Sequence, residues 1–302
     1  MAYGFGLSMG EKWRKPGMLF LADNLKDYVI LDTGDGMKLE KWGGYILSRP
    51  DPQIIWEKQE PGLWEQADAE YIRSSSGGGK WRFRKELPER WTFGYGKLRF
   101  YVRPTGFKHT GLFPEQSVNW DFMASKIRGS AKKDIRVLNL FAYTGAATCA
   151  CAAEGAAVVH VDAAKSMNQW AKENALHSGL GDANIRYLQD DCLKFVQREI
   201  RRGNRYDGIV MDPPSYGRGS GGQIWKVEDD LFALIKETVK LLSDSPLFFI
   251  VNSYTTGLSS VVTGNMLRIL LRSGSVTSSD VAIPTANRKV YLPCGTTARW
   301  EV

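Results

Sequence analysis

The chain has 302 residues, of which 43% are hydrophobic and 24% charged, as in an ordinary soluble globular protein with one large or two smaller domains. No apolar run reaches the ~20 residues of a membrane-spanning helix, and residues 1–17 lack the pattern of a signal peptide, so we expect a cytoplasmic protein. The four cysteines and three histidines lack the spacing of a metal site or a disulfide framework. The net charge of +7 favours a polyanionic partner such as a nucleic acid.

The first third of the chain is predicted to be all-β. Strand-like runs, separated by Gly, Pro, Asp and Asn turns, occur at 18–22, 28–34, 37–48, 80–86 and 91–103. Residues 79–109 interleave Lys and Arg with Trp, Phe and Tyr, which is typical of a surface that pairs phosphates and stacks bases. The alternative is a twisted antiparallel sheet with its aromatic rings inside and its charges outside, because part of this segment alternates with period two.

From residue 117 onward, helical and strand-like patterns alternate. Strands are predicted at 136–145, 156–164, 184–191, 206–214 and 246–254, with helices at 117–127, 146–155, 166–179, 192–203, 228–242 and 258–274. This alternation predicts an α/β fold with a Rossmann-like, mostly parallel sheet, and a strand pair near the C-terminus adds one antiparallel strand. We therefore expect a β-rich, substrate-binding N-terminal domain at 1–116 and an α/β domain at 117–302.

Acidic residues follow consecutive predicted strands of this sheet. The first strand ends in a turn where Gly145 alone is expected to adopt positive φ, and this disfavours NAD and FAD, whose turns need three glycines. Asp162 follows the second strand, Asp190 and Asp191 the third, and Asp212 the fourth. Open α/β sheets bind ligands at this edge, where Asp162 could accept hydrogen bonds from ribose hydroxyls and Asp190 or Asp191 from an adenine amino group. Helix capping is the alternative for each acid taken singly.

Several of these stretches resemble one known family. LNLFAYTGA at 138–146, Asp162, Asp190-Asp191 and DPPSY at 212–216 resemble the class I S-adenosylmethionine-dependent methyltransferases. They are similar, more narrowly, to the bacterial enzymes that form 5-methylcytosine or 7-methylguanine in large-subunit ribosomal RNA. Residues 104–116 are similar to the KTGxxxDQR segment of that group, with Glu115-Gln116 in place of Asp-Gln. The resemblance covers the chain from about residue 99 to the C-terminus.

The resemblance implies a cofactor, S-adenosyl-L-methionine, and a set of site residues. The implied cofactor-binding residues are Gln116, Asn139, Phe141, Tyr143, Thr144, Gly145, Asp162, Ala163, Asp190, Asp191 and Asp212. The implied catalytic residues are Asp212, Pro213, Pro214 and Tyr216, which would form the wall on which the methyl acceptor rests. The two prolines would hold their carbonyl groups rigidly as hydrogen-bond acceptors, and Tyr216 could stack on a base. Residues 217–226 could form a basic lid over the acceptor or a plain connector.

The acceptor is predicted to be a nitrogen or oxygen atom of RNA, most simply of ribosomal RNA. The enzymes of this group that methylate carbon use a cysteine near the end of the fifth strand, where this chain has Asn252-Ser253-Tyr254. Cys294 is the remaining candidate nucleophile for a 5-methylcytosine-forming enzyme. A methyltransferase of a protein or small molecule is the other alternative. A non-enzymatic RNA-binding module is disfavoured by the acids at the strand ends, and the oligomeric state stays open.

Overall fold

The computed structural model describes residues 19–74, 78–218 and 224–302. The first part of the described chain contains eight strands: β1 (Phe20–Leu21), β2 (Tyr28–Gly34), β3 (Met37–Trp42), β4 (Tyr45–Pro50), β5 (Ala69–Arg73), β6 (Gly79–Phe83), β7 (Trp91–Tyr95) and β8 (Leu98–Val102). Strands β2 to β6 form one sheet in chain order, antiparallel except for the β4–β5 pair, and β7 and β8 form a separate hairpin. The predicted β-rich N-terminal region is confirmed, although the sequence did not predict β5.

The second part alternates strands and helices. Its elements are α1 (Ser117–Gly129), β9 (Arg136–Leu140), α2 (Ala146–Ala152), β10 (Ala157–Asp162), α3 (Lys165–His177), β11 (Ile185–Gln189), α4 (Cys192–Arg201), β12 (Gly208–Met211), β13 (Tyr216–Arg218), β14 (Ile224–Lys226), α5 (Val227–Thr238), β15 (Phe248–Ser253), α6 (Ser260–Leu270), β16 (Ser275–Pro284) and β17 (Tyr291–Glu301). All six predicted helices are present.

The central sheet has eight strands in the order β1-β16-β17-β15-β12-β9-β10-β11. Strand β17 is antiparallel to both of its neighbours, and every other pair in the sheet is parallel. The predicted Rossmann-like sheet with one antiparallel strand is therefore confirmed. The direction of winding changes between β9 and β12, which is where an open α/β sheet offers a crevice for ligands.

The N-terminal sheet and the central sheet share one hydrophobic core. Trp42 of β3 and Phe93 and Phe100 of the β7–β8 hairpin belong to the same buried cluster as Trp120 of α1 and Phe248 of β15. Strand β1 also pairs with β16, and Ile30 of β2 forms a bridge with Thr285. The division at residue 116 therefore stays a prediction, since the packing between the two parts is extensive.

Candidate active site

A cleft of about 900 Å³ opens at the carboxyl ends of β9, β10, β11 and β12. The predicted site residues that line it are Phe141, Tyr143, Asp162, Ala163, Asp190, Asp191, Asp212, Pro213 and Pro214. A small adjoining cavity of about 50 Å³ is lined by Gln116, Asn139, Thr144 and Gly145, together with some of the cleft residues. The structure thus brings together the acids that follow three different strands, as the strand-end argument predicts.

The turn after β9 is more contorted than the sequence suggests. Gly145 has φ +84°, and a Cβ atom there would approach the Cβ of Ala171 to 2.8 Å. Phe141 and Tyr143 also have positive φ, 54° and 49°, so the expectation that Gly145 alone takes this conformation was wrong. Positive φ is energetically unfavourable for residues other than glycine. A hydrogen bond of 2.8 Å from the Tyr143 amide to Asp162 Oδ2 helps to stabilise this backbone conformation.

Two of the predicted cofactor-binding residues, Asn139 and Thr144, stabilise the turn after β9 through buried hydrogen bonds. Asn139 donates to Thr148 Oγ1 at 3.0 Å, and Thr148 in turn contacts His160 Nδ1 at 2.9 Å. Burial lowers the pKa of His160 to about 3, so this histidine is neutral. Thr144 donates to the Gly111 carbonyl at 2.5 Å. Both Asn139 and Thr144 are almost fully buried, and they shape the floor of the site.

The acids after β10 and β11 form hydrogen bonds or ion pairs within the protein and also line the cleft. Asp162 accepts hydrogen bonds from two backbone amides, each at 2.8 Å, and burial raises its pKa. Each carboxylate oxygen has a second lone pair, so Asp162 can still accept bonds from a ligand. Asp191 caps α4 by accepting from the Lys194 amide at 2.9 Å, as the capping alternative predicted. Asp190 pairs with Arg198.

Asp212 lies immediately after β12 and has an unusual carboxyl group. Its Oδ1 atom is buried and has no hydrogen-bond partner among the described residues. Burial, and then the charge of nearby Glu115, raise the pKa of Asp212 to about 8. A buried acceptor without a hydrogen-bond partner lowers the stability of the folded protein. A ligand with an N–H or O–H donor would supply the missing hydrogen bond.

The two prolines after Asp212 line the cleft, but Tyr216 does not. The Pro214 carbonyl accepts a hydrogen bond from Trp225 Nε1 at 2.7 Å, which occupies one of its two lone pairs. Tyr216 lies in β13, pairs with Lys226 of β14 and is 53% exposed. The structure therefore places Tyr216 outside the cleft. Of the predicted lid, residues 219–223 lie outside the described residues.

The opposite wall of the cleft comes from residues that the sequence analysis missed. Lys38 of β3, Arg49 of β4 and Lys108 of the loop after β8 are the cations of this wall, and Asp51, Glu115 and Tyr254 also line the cleft. Tyr254 follows β15 at the same edge of the sheet as the predicted acids, so the strand-end rule could have found it. Lys38 and Arg49 carry no such signal, because they belong to a different sheet.

A buried polar network fixes the small cavity next to the cleft. Gln116 donates to the Tyr254 hydroxyl at 2.7 Å and accepts from Asn119 and Asn252 at 2.8 and 3.0 Å. Thr297 of β17 completes the network by donating to Asn252 Oδ1 at 2.6 Å. The network joins α1, β15 and β17, so Gln116 is held rigidly at the edge of the site.

The cysteines have the properties of packed thiols. Cys294 lines the cleft but is only 8% exposed, and burial together with Glu115 raises its pKa well above the ordinary value. Cys149, Cys151 and Cys192 are buried as well, and burial raises the pKa of each. A nucleophilic cysteine needs an environment that favours the thiolate, which none of these positions offers.

The aromatic and basic segment at 79–109 divides between the core and the surface. Phe93 and Phe100 are fully buried, as the packing alternative predicted. Phe83 and Phe107 are 53% and 71% exposed, and the Trp81 and Phe83 rings stack 6.4 Å apart. Arg82 pairs with Glu70 on the same surface. An exposed surface of rings and cations is therefore present, although it is smaller than the sequence suggests.

Comparisons with known proteins agree on one family. The model of the S-adenosylmethionine-dependent methyltransferase family matches residues 71–269. "Ribosomal RNA large subunit methyltransferase K/L" of Shewanella frigidimarina is 34% identical over 151 residues, which is 49% of this chain but 20% of that relative. The Shewanella baltica protein of the same name gives the same figures. The match thus spans about a fifth of the length of these curated relatives.

Solved structures support the same family. The SAM-dependent methyltransferase from Agrobacterium tumefaciens is 36% identical, with a TM-score of 0.89 over 95% of this chain and 94% of that one. A Streptococcus mutans protein, 18% identical with a TM-score of 0.72 over 93% of this chain and 76% of that one, shares the fold.

In the part of the chain that the structure describes, no helix is long and apolar enough to cross a membrane. Within the same residues, no group of three or more His, Cys, Asp or Glu side chains could hold a metal ion.

Proposed function

The chain belongs to the S-adenosylmethionine-dependent methyltransferases, and we propose that it methylates a nitrogen or oxygen atom of a nucleotide in large-subunit ribosomal RNA. The observation that carries this proposal is the Oδ1 atom of Asp212, which is buried, has no hydrogen-bond partner among the described residues and belongs to the same cleft as Asp162 and Lys108. The names of the curated relatives support ribosomal RNA as the substrate, although those proteins are much longer than this chain.

The cofactor end of the cleft suits S-adenosyl-L-methionine, which supplies a methyl group on a positively charged sulfur. We assign Asp162 to the ribose hydroxyls, because its oxygens have lone pairs left after accepting from two backbone amides. Asp190 and Asp191 line the next part of the cleft, where they would take the adenine amino group. The turn at Tyr143 and Gly145 would form the floor under the methionine part of the cofactor.

At the acceptor end, Asp212 would bind the group to be methylated. Its free Oδ1 can accept a hydrogen bond from an N–H or O–H of the acceptor and so aim the reacting atom at the methyl group. A carboxyl group with a pKa of about 8 is also suited to accept the proton that an amino or hydroxyl acceptor loses. Methyl transfer is a direct displacement, so correct alignment supplies much of the catalysis.

The chemistry of Cys294 favours a nitrogen or oxygen acceptor over a ring carbon. Carbon methylation of cytosine needs a thiolate that adds to the ring. Burial raises the pKa of Cys294 well above its ordinary value, and Sγ donates a hydrogen bond to the Leu292 carbonyl at 3.4 Å. The thiol is therefore held in its protonated, unreactive form.

Methyl transfer to unmodified ribosomal RNA tests the proposal. Purified protein, labelled S-adenosylmethionine and large-subunit RNA transcribed in vitro should give one labelled nucleoside, identified by mass spectrometry as an N-methyl or O-methyl product. The substitution Asp212→Ala should lower the rate by roughly 10²-fold or more, because alignment is lost, while affinity for S-adenosylhomocysteine stays nearly unchanged. The matched control is Asp244→Ala, since Asp244 is exposed and does not line the cleft.

Three results would contradict the proposal. Label in a ribosomal protein or a small molecule, with none in RNA, would favour the alternative substrates. A 5-methylcytosine product, with a covalent adduct on 5-fluorocytosine RNA that Cys294→Ser abolishes, would show that the acceptor is carbon. Equal rates for Asp212→Ala and Asp244→Ala would remove Asp212 from the reaction.

A further inference from the structure

We propose that Lys38 and Lys108 form a phosphate-binding subsite at the acceptor end of the cleft. This inference rests on the proposed function, because it assigns the subsite to a phosphate of the nucleotide that is methylated. The two lysines come from separate segments, β3 and the loop that follows β8, and both line the cleft. Asp212 lines the same cleft, so one ligand that spans the cleft can contact both Asp212 and the lysines.

Arg49 positions the subsite, because all three of its nitrogen atoms donate hydrogen bonds within the protein. Its Nε and Nη2 atoms both donate to Glu40, which is fully buried. Its Nη1 atom donates to the backbone carbonyl of Lys108 at 2.8 Å. The Tyr28 hydroxyl donates to the same Glu40 at 2.6 Å. This buried ion pair therefore ties β3 and β4 to the loop that carries Lys108 and fixes where its side chain begins.

Lys108 is the cation of this wall that has no acidic partner. Lys38 pairs with Asp51 at 3.3 Å, and Arg49 pairs with Glu40. No described residue forms an ion pair with Lys108. Burial lowers the pKa of Lys108, and the positive charge of Lys38 lowers it further. A half-buried cation next to other cations is unfavourable, and an anion bound between Lys38 and Lys108 would remove this cost.

A phosphate is the anion that fits the rest of the cleft. Lysine binds phosphate as a point charge, without the planar, bidentate geometry that arginine uses. A nucleotide carries both a phosphate and a base with N–H donors, which match the basic wall and the unpartnered Oδ1 of Asp212 at the two sides of one cleft. A peptide segment would offer a phosphate only if it were modified.

The loop that carries Lys108 also leads to an aromatic surface. Trp81 Nε1 donates to the Thr105 carbonyl at 2.8 Å and so attaches the loop to β6. Phe107, directly before Lys108, is 71% exposed, and Trp81, which donates to the Phe107 carbonyl at 3.3 Å, stacks on the exposed ring of Phe83. Exposed rings next to a phosphate site are suited to stack the bases of a single strand. The geometry therefore favours the phosphodiester backbone of RNA as the source of the phosphate, with a free nucleotide as the other source.

Substitution of the two lysines tests the subsite. Binding of a labelled fragment of large-subunit RNA is measured across a range of salt concentrations for wild type, Lys38→Gln, Lys108→Gln and the charge-preserving Lys108→Arg. Each Gln variant should reduce the slope of log Kd against log salt by roughly 0.7 to 1, the contribution of one phosphate contact, and Lys108→Arg should retain the slope. The matched control is Lys41→Gln, because Lys41 is an exposed lysine of the same strand as Lys38 and does not line the cleft.

A second arm uses nucleosides and nucleoside monophosphates as probes. In wild type the monophosphates should bind about tenfold or more tightly than the nucleosides, and this preference should disappear in Lys108→Gln. Affinity for S-adenosylhomocysteine should be the same in all variants, which shows that they are folded. If the salt slope and the phosphate preference both decrease, the subsite takes a phosphate of the RNA backbone; if the preference alone decreases, it takes a free phosphorylated compound.

The subsite and the proposed function can fail separately. If wild type methylates ribosomal RNA and both Gln variants keep the wild-type slope and phosphate preference, the subsite is overturned and the proposed function stands. If RNA is not methylated but the phosphate preference depends on Lys38 and Lys108, the proposed function fails and the subsite stands. A loss of slope in Lys41→Gln equal to that in Lys108→Gln would also overturn the subsite, because the effect would then be one of net charge.

Discussion

The substitution Asp212→Asn should stabilise the protein while it impairs methyl transfer. Asn has nearly the same shape as Asp but cannot ionise. In the folded protein, burial and then Glu115 raise the pKa of Asp212 from the ordinary value of 3.8 to about 8. The folded state therefore binds this proton more tightly than the unfolded state does. As pH rises above 4, unfolding releases the proton, and the wild type loses stability that the Asn variant does not lose.

The size of the effect follows from the pKa difference. One pKa unit corresponds to about 1.4 kcal/mol, so the free energy of unfolding of the wild type should decrease by at most about 4 kcal/mol between pH 4 and pH 7, relative to Asp212→Asn. The difference should level off above pH 8, where the carboxyl group is ionised in both states. Titrating groups that do not interact with Asp212 contribute equally to both proteins and cancel in this comparison.

Urea unfolding of both proteins at a series of pH values measures the difference. The control with the opposite sign is Asp207→Asn. Although burial alone would raise the pKa of Asp207, hydrogen bonds from Lys132, the Arg136 amide and Ser243 hold it below the ordinary value. The stability that Asp207 contributes should therefore be present at neutral pH and be lost as pH falls. If wild type and Asp212→Asn give parallel stability curves, the carboxyl group is hydrated and the reasoning about its burial is refuted.

Three further outcomes are expected. Asp162→Ala should weaken binding of S-adenosylhomocysteine by about 1–3 kcal/mol in calorimetry, and unchanged affinity in a folded variant would remove Asp162 from the site. Gly145→Ala, with φ +84° and a Cβ only 2.8 Å from Ala171, should destabilise the protein by more than Gly155→Ala, with φ +87° and open space; equal thermal shifts would contradict the role of close packing. Cys294→Ala should retain methyl transfer within a few-fold in a rate assay, and complete loss would indicate a thiol-dependent reaction.

The fold could be predicted from the sequence because its signals are local. Hydrophobic periodicity located the helices from α1 to α6, and the order of strands and helices predicted the parallel sheet. The acids that line the cleft were found for the same reason, since a parallel sheet brings the residues after its strands to one edge. Asp162 and Asp212 therefore needed no knowledge of the tertiary structure.

The parts that were missed depend on contacts between distant segments. Lys38 and Arg49 reach the cleft only because the N-terminal sheet packs across the edge of the central one. The placement of Tyr216 depends on the pairing of β13 with β14: Tyr216 pairs with Lys226 and does not line the cleft, although Ser215 and Gly217 do. The positive φ of Tyr143 is imposed by the surrounding turn, because this residue type does not favour such a conformation.

The pairing of β1 with β16 has a consequence for the order of events during synthesis. Phe20 pairs with Val281, so the first described strand can join the sheet only after residue 281 has been made. Ile283, Leu292, Pro293 and Cys294, which line the cleft, also come from the last two strands. Domains generally fold as they emerge from the ribosome, with the N-terminal part first. Here the cleft is complete only once residues 275–301 have been made, so a nascent chain that ends before them lacks part of the site.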